Sequence, residues 1–317
     1  MDGASRVTCR RLCCILCGPV VLFLAGCGES TTDRPEDKRL PVVVDVPPLA
    51  YLVQQIGGEH VKVDVLVRAG QDPHTFEPDP QQVLALGKAA VFFTIDMPFE
   101  TILLQKVQEA RKRLTVVDTT HGIQKRMVDT PCSDHAGDHA EDHDHGAEAG
   151  VPDPHVWLSP PLLKIQAENI AASLSQADPE HRADYQRNLT KLLARLDALH
   201  QRIQRMLEPF RGRAFYVFHP GFGYFADAYG LKEEAIERGG REPTPKQLRD
   251  LVRSAKADGV TTVFVQPQSP VQGAKVIADA IGGRVVTING LDEDVVGNLE
   301  DIAAKIEAAL RGRPNGK

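Results

Sequence analysis

The chain has 317 residues, with 37 Lys and Arg against 43 Asp and Glu, and its formal net charge is −6 at pH 7. We expect no nucleic-acid partner, because phosphates are bound by clustered basic residues and the sequence contains no broad basic stripe. Residues 40–317 are enough for two domains of ordinary size.

The N-terminus has the pattern of an export signal. Arg6, Arg10 and Arg11 precede the apolar run LCCILCGPVVLFLAG, which is shorter than the roughly 20 residues that a membrane span needs. We interpret residues 1–26 as a signal peptide. The stretch LAGC, which ends at Cys27, resembles the lipobox of bacterial lipoproteins and implies a lipid on that sulfur. The alternative is an ordinary signal peptide and a soluble exported protein; both place the mature chain in the periplasm or at the cell surface.

The next segment, residues 27–39, is polar and contains proline, so we interpret it as a tether between the lipid anchor and the globular part. Cys132 is the one cysteine left after the signal peptide is removed and Cys27 is acylated. A single thiol excludes an intramolecular disulfide.

Residues 40–178 are predicted to form an N-terminal α/β lobe. Short β-branched runs predict strands at VVVDV near Val42, VKVDVLV near Val61, VFFTI near Val91 and LTVVD near Leu114. The helical patterns between them cover residues 48–56, 80–88 and 99–112. This alternation of strands and helices predicts a parallel sheet.

A His-rich acidic loop at residues 132–150, CSDHAGDHAEDHDHGAEAG, interrupts this pattern. Its composition cannot offset the entropy of ordering a chain, so we expect a mobile loop. Imidazoles among carboxylates favour an auxiliary, exchangeable metal-binding tract, with the candidate ligands His135, His139, His143 and His145. Cys132 is either a further soft ligand or an incidental thiol, and the alternative for the whole tract is a solvated surface loop.

A long helix is predicted at residues 179–208. Apolar side chains recur there at spacings of three or four: Leu189, Leu193, Leu196, Leu199, Ile203 and Met206. At ~1.5 Å per residue this helix would run about 40 Å, which suits a rigid connector between two lobes. The alternative is a coiled-coil dimer helix, but the stripe lasts only about three heptads, and we expect a monomer.

Residues 209–317 are predicted to form a C-terminal α/β lobe. Strands are expected at AFYVFH, EEAIE, TTVFVQ and RVVTI, with helices at residues 245–257, 271–281 and 294–310. Thr244 and Pro245 predict an N-cap at the start of one helix, although Glu242 beside them could instead orient a metal ligand. The predicted fold class is α/β: two lobes, each a parallel β-sheet flanked by helices, joined by one long rigid interlobe helix.

Three histidines lie in motifs that suit a binding cleft. His74 lies in GQDPHTFEPDP, His155 in VPDPHVWLSP and His219 in FYVFHPGFGYF. Proline places the first two in extended or turn backbone, and the third follows a predicted strand. Open α/β sheets bind ligands at the carboxyl ends of their strands, so we expect all three to face one cleft. Each histidine alone is more often a surface or hydrogen-bonded residue than a ligand.

The motifs HTFEPDP, DPHVWLSP, FHPGFGYF and GREPTPKQL resemble, in that order, those of the cluster A-I (ZnuA/TroA-like) metal-binding lipoproteins of bacterial ABC transporters, particularly the zinc-binding group. The resemblance spans nearly all of the mature chain. It implies that His74, His155 and His219 bind a metal, and that the chain delivers Zn²⁺ to an ABC permease. Neutral imidazole also suits tetrahedral zinc.

The sequence departs from that family at two positions. Asn289 stands where a carboxylate is common, with Asp292 as a possible substitute for the fourth ligand, and Gln266 stands where relatives carry Glu. Fewer carboxylates favour Zn²⁺ over Mn²⁺. A manganese or iron binder of the same family remains an alternative.

Two other classes compete with this prediction. Three histidines and a water also describe a zinc hydrolase, and a zinc-storage or adhesin lipoprotein would use the His-rich tract as its main functional part. The sequence contains no HExxH pattern and no nucleophile elbow, so we expect that the protein is not an enzyme.

Overall fold

The computed structural model describes residues 37–107, 113–128, 150–237, 239 and 241–312. The predicted signal peptide, the lipid-attachment residue Cys27 and nearly all of the tether lie outside these residues. So do Cys132 and the four histidines of the His-rich tract. No helix within the described part of the chain is both long enough and apolar enough to span a membrane.

The first sheet has four parallel strands in the order β2-β1-β3-β4. They are β1 (Leu40–Val44), β2 (Val61–Val65), β3 (Val91–Thr94) and β4 (Thr115–Asp118). The central strands β1 and β3 are nearly continuous runs of buried apolar residues, whereas both edge strands, β2 and β4, contain exposed positions. This is the burial expected when helices cover both faces of a parallel sheet.

Four helices accompany this sheet, and each has a proline in its first turn. They are α1 (Pro47–Gly57), α2 (Pro80–Lys88), α3 (Pro98–Lys106) and α4 (Pro160–Ala177). Proline suits this position because the first N–H groups of a helix have no intrahelical acceptor. The end predicted for α3, residue 112, lies outside the described residues, and α4 was not predicted from the sequence.

A short antiparallel hairpin lies between α3 and α4. It consists of β5 (Met127–Val128) and β6 (Val151–Pro152). A side chain on Gly150 would lie 2.5 Å from the carbonyl oxygen of Val128, so glycine allows the two strands to approach. The hairpin therefore holds Val128 and Gly150 next to each other.

The connector helix α5 (Arg182–Leu207) continues from a 3₁₀ turn at Pro179–His181 and ends in another at Glu208–Phe210. It packs on α1 and α4 of the first lobe, and on α6 (Gly223–Tyr229) and α9 (Val295–Arg311) of the second. Its buried stripe is Tyr185, Leu192, Leu196, Leu199, Ile203 and Leu207. The predicted stripe residues Leu189, Leu193 and Met206 are only partly buried. Helices of both lobes cover this apolar stripe, so it is not exposed for pairing with a second copy of the helix, as a coiled-coil dimer would require.

The second sheet is also parallel, in the order β10-β9-β7-β8. Its strands are β7 (Ala214–Val217), β8 (Lys232–Ala235), β9 (Thr262–Val265) and β10 (Arg284–Thr287). Besides α6 and α9, the helices of this lobe are α7 (Pro245–Ala257) and α8 (Val271–Ile281). Thr244 caps α7 by accepting from the Gln247 N–H, as the sequence predicted, and α6 was not predicted.

One hydrophobic core runs through both lobes. It joins residues of the first sheet to the connector helix, and the connector helix to α6 and α9. A smaller core lies under α7 and α8, between those helices and the second sheet. The shared core favours a fixed arrangement of the lobes, because separating them would expose apolar surface.

Replacing Leu199 with alanine should destabilise the whole protein. Leu199 is fully buried in the core shared by both lobes, and a buried Leu→Ala change costs about 2–5 kcal/mol. Urea unfolding monitored by circular dichroism would measure the loss. The matched control is Leu84→Ala on α2, where the side chain is 64% exposed, and its effect should stay within about 0.5 kcal/mol. Equal effects of the two changes would contradict a shared core.

Candidate metal centre

Three histidines from separate loops meet in a cleft at the carboxyl ends of the two sheets. His74 lies in the loop after β2, His155 precedes the 3₁₀ turn Val156–Leu158, and His219 follows β7. One ring nitrogen from each side chain lies within 4.8 Å of the other two. The Nε2 atoms of His74 and His155 are 3.2 Å apart. The structure thus brings together the three histidines that the motifs singled out.

The two Asp-Pro-His tripeptides form the same local turn. The backbone N–H of His74 donates to Asp72 Oδ1 at 2.9 Å, and that of His155 donates to Asp153 Oδ1 at 3.0 Å. An aspartate that accepts from the backbone two residues further on forms an Asx turn. The repeated tripeptide therefore fixes the backbone of two of the three histidines by local chemistry alone.

Asp153 also holds the ring of His155. Its Oδ1 lies 2.7 Å from His155 Nδ1, and the Asp153 side chain is only 4% exposed. Burial opposes the charged carboxylate, but the hydrogen bonds and charge of His155 outweigh it, so the pKa of Asp153 is lowered. An ionised Asp153 favours a proton on Nδ1 of His155 and leaves the Nε2 lone pair directed at the other histidines.

His219 has a comparable partner in Glu237, whose Oε2 lies 3.3 Å from His219 Nδ1. The other ring nitrogen, Nε2, is buried and has no hydrogen-bond partner among the described residues. Gln266 donates from its Nε2 to the backbone carbonyl oxygen of His219 at 3.0 Å and so holds the main chain of the histidine. A buried nitrogen without a partner is unusual in a folded protein, which makes Nε2 of His219 a candidate metal ligand.

The loop after His219 is fixed by a buried carboxyl group. Glu233 Oε1 accepts from the backbone N–H groups of Gly221 and Phe222 at 2.9 and 2.7 Å. Burial raises the pKa of Glu233, although these two hydrogen bonds act in the opposite direction. A Cβ on Gly221 would lie 3.4 Å from the ring of His155, so glycine lets this loop pass closely over that histidine.

His74 is the most exposed of the three histidines, but its Nε2 points at the other two rings. Desolvation, followed by repulsion from His155 and His219, lowers the pKa of His74 to about 4. His74 is therefore neutral at pH 7. A neutral imidazole is the form that binds a metal ion.

The cleft around the histidines has a volume of about 700 Å³. Five carboxylates line it, and no Lys or Arg is found among its described lining residues. These acidic residues are Asp72, Asp96, Asp153, Glu237 and Glu242. A concave surface lined by one sign of charge raises the local concentration of the opposite ion, so the cleft attracts cations.

The structure does not bring Asn289 or Asp292 to the histidines. Asn289 Nδ2 donates to Asp292 Oδ2 at 3.2 Å, and Asn289 Oδ1 accepts from the backbone N–H of Leu291 at 3.0 Å. Neither residue lines the cleft. Both side chains make local hydrogen bonds that shape the turn after β10.

Other residues singled out by the sequence line the cleft in different ways. Trp157 is buried, its ring centroid lies 5.2 Å from that of His155, and its Nε1 donates to the Gly290 carbonyl oxygen at 2.7 Å. Glu242 is exposed at the cleft lining. Sequence reasoning missed Glu237, whose position two residues after β8 was the available signal. It considered Glu242 as an orienting carboxylate only as the alternative to the helix cap.

Known proteins and solved structures resemble this chain over most of its length. The high-affinity zinc uptake system protein ZnuA of Bacillus subtilis (strain 168) is 28% identical over 277 residues, which cover 86% of this chain and 85% of the relative. A crystal structure of ZnuA matches with a TM-score of 0.77 and 36% identity over 86% of this chain and 99% of its own. A ZnuA deletion mutant with zinc bound matches equally well, over 87% and 100%.

The family model described as ZnuA, zinc-uptake complex component A, periplasmic, matches residues 42–309. Its members are solute-binding proteins of ABC transporters and not enzymes, which excludes the hydrolase alternative. The fold, the order of the motifs and this match lead to one conclusion: the chain belongs to the ZnuA family of periplasmic zinc-uptake components.

Proposed function

We propose that this protein captures Zn²⁺ outside the cytoplasm and delivers it to an ABC permease, with His74, His155 and His219 as the ligands. The main observation that supports this proposal is the distance of 3.2 Å between the Nε2 atoms of His74 and His155. Two nitrogen ligands of a tetrahedral zinc, each bound at about 2.0 Å, lie about 3.3 Å apart. The spacing of these two side chains therefore fits zinc without a large rearrangement.

Two carboxylates support the same ligand atoms. Asp153 and Glu237 lie at the Nδ1 atoms of His155 and His219, so the Nε2 atoms of these rings are the ones free to bind. A carboxylate on the outer nitrogen orients a ligating imidazole and increases its basicity.

The fourth position on the ion is proposed to be a water molecule from the cleft. Asn289 and Asp292 bond to each other at the turn after β10, and the cluster of metal-ligating side chains among the described residues contains only the three histidines. Three imidazoles and a water form a neutral donor set of borderline softness. Such a set favours Zn²⁺ over Mn²⁺, which prefers harder oxygen ligands.

The two lobes are proposed to keep nearly the same arrangement with and without zinc. Residues 40–178, including the His-rich tract, would form one lobe and residues 209–317 the other, with residues 179–208 as the connecting helix. The support is the apolar core that joins the connector helix to both lobes. We expect local loop movement around the ion in place of a wide hinge closure.

The His-rich tract is proposed to bind further zinc weakly. Its neighbours in the described chain, Val128 and Val151, both line the cleft. Ligands within a polar tract must be ordered when they bind, and this lowers the affinity. The tight site would then belong to the cleft alone.

Zinc titration against a chromophoric chelator tests the proposed ligands. The wild-type protein should bind one Zn²⁺ tightly, and His219→Ala should weaken this site by more than the roughly 10- to 100-fold loss seen when only an outer partner of a ligand is changed. The matched control is His121→Ala, since His121 is exposed and lies outside the cleft. Zn²⁺ should also displace Mn²⁺ from the wild-type protein.

Three results would contradict this assignment. They are an unchanged affinity in His219→Ala, displacement of Zn²⁺ by Mn²⁺, and loss of the tight site when residues 133–148 are deleted. The deletion should remove only the weaker zinc equivalents.

The pH dependence of the stability of the metal-free protein tests the lowered pKa of His74. The pKa of His74 is lowered to about 4 in the folded state, against about 6.5 in an unfolded chain. The unfolded state therefore binds more protons between these values, and stability should fall as the pH drops from about 6.5 to about 4. Urea unfolding at pH 7.5 and 5.0 should show a smaller decrease for His74→Gln than for the wild type. His121→Gln is the control, and its stability should decrease as much as that of the wild type. An equal decrease in the free energy of unfolding for all three proteins would contradict the lowered pKa of His74.

A lipid anchor at Cys27, with a polar tether to a monomeric globule, is the proposed attachment. The support is the LAGC sequence and the polar character of residues 28–39. Cys27→Ser should move the protein from the membrane fraction to the soluble fraction of cells that express it. Recovery of the wild-type protein in the soluble fraction, without added lipid mass, would exclude the anchor.

A further inference from the structure

A ring of hydrogen bonds joins the two lobes beside the histidines. Tyr224, on α6 of the second lobe, accepts at its hydroxyl from the backbone N–H of Arg126 at 2.8 Å and donates to the backbone carbonyl oxygen of Asp153 at 2.9 Å. The backbone N–H of Asp153 donates in turn to the carbonyl oxygen of Arg126 at 2.8 Å. The Tyr224 hydroxyl is thus both donor and acceptor, and it bridges the backbone segments at Arg126 and Asp153 in the first lobe.

An ion pair lies beside this ring. The guanidinium of Arg126 contacts the carboxylate of Asp227, one turn further along α6. To reach it, the side chain crosses Gly223, where a Cβ would lie 2.6 Å from Arg126 Nε. Glycine at this position therefore leaves room for the arginine, and Arg126 contacts α6 through both its backbone and its side chain.

The ring is buried and close to the metal centre. Tyr224 is 5% exposed and Asp153 is 3% exposed. Burial raises the pKa of Tyr224 to about 12, so the phenol keeps its proton and remains a donor to Asp153. Asp153 in turn contacts both the backbone and the ring of His155.

We propose that Tyr224 is a positioning residue for zinc: it holds Asp153 from across the cleft, and Asp153 holds His155. This inference rests on the proposed function, since it concerns the same ligand set. Tyr224 itself does not touch the ion. Its hydroxyl acts by setting the backbone position of Asp153, and therefore the place of His155 Nε2 relative to His219, which precedes α6 on the same loop.

The arrangement also explains why Tyr224 must come from the second lobe. His155 belongs to the first lobe and His219 to the second, so their separation depends on how the lobes meet. A contact that spans the lobes at the base of His155 fixes this separation directly. Trp157, which donates to the Gly290 carbonyl oxygen at 2.7 Å, makes a second such contact on the other side of His155.

The test is Tyr224→Phe, which removes one hydroxyl and keeps the ring. Its zinc affinity, measured by chelator competition, should fall about tenfold, at the lower end of the range for changes in groups that orient a ligand. Zinc should also dissociate faster. The visible spectrum of the Co²⁺-loaded variant should change in intensity, because the geometry of the His155 nitrogen around the ion changes.

The matched control is Tyr229→Phe, a second buried tyrosine on α6. Its hydroxyl lies 3.4 Å from His200 Nδ1, away from the cleft. This variant should keep the wild-type zinc affinity and Co²⁺ spectrum. If Tyr224→Phe changes only the unfolding midpoint, as Tyr229→Phe can, Tyr224 has a merely structural role and the proposal is wrong.

A double-mutant cycle separates direct from indirect effects. If Tyr224 acts through the hold of the Asp153 side chain on His155, then Tyr224→Phe should weaken zinc binding much less in an Asp153→Ala background, which removes that hold, than in the wild type. Additive losses would contradict the proposal. Should Tyr224→Phe fail to fold, Asp227→Asn offers a second test: it weakens only the exposed end of the contact and should lower the affinity several-fold, with no change contradicting the proposal.

The outcomes also distinguish this inference from the proposed function. A wild-type protein that binds no zinc contradicts the function itself. Wild-type binding with an unchanged Tyr224→Phe affinity contradicts only the positioning role.

Discussion

The packing of three imidazoles into one small volume is the constraint on which the cleft depends. Within 4.8 Å of one another these side chains cannot all carry charge, and the lowered pKa of His74 reflects this repulsion together with desolvation. The rings must also be prevented from turning away from one another. Asp153 and Glu237 do this at the outer nitrogens. In the proposed site the three donor atoms are therefore assembled before the ion binds, so little ordering would remain to oppose binding.

Local signals in the sequence predicted much of the fold. The bounds of α2, α7 and α8 match the predictions because a proline in or just before the first turn, or an N-cap residue, marks where each helix begins. Four elements were missed for identifiable reasons. The helix α4 opens with two prolines that read as a loop, α6 is short and rich in aromatic residues, and β5 and β6 have two residues each.

The sequence predicted which three histidines meet in the cleft but not the groups that hold them. The motifs singled out His74, His155 and His219, since each histidine and its turn residues are adjacent in the chain. Glu237 is 18 residues from its partner, and Tyr224 is 71 residues from Asp153, so these contacts exist only once the sheets and α6 have packed. Asn289 illustrates the reverse case: its position after β10 suggested a ligand, but the packed turn uses its amide to accept from Leu291.

The hairpin β5/β6 makes the chain between its strands replaceable. Val128 and Gly150 lie side by side, so the two ends of the segment between them are held close together. The entropy cost of joining two such points rises by only about 0.6 kcal/mol for each doubling of the number of residues between them. Evolution can therefore lengthen, shorten or recompose this insertion at the rim of the cleft while the sheets, the connector helix and the histidines stay where they are. The hairpin separates a part of the protein that is free to diverge from a part that is not.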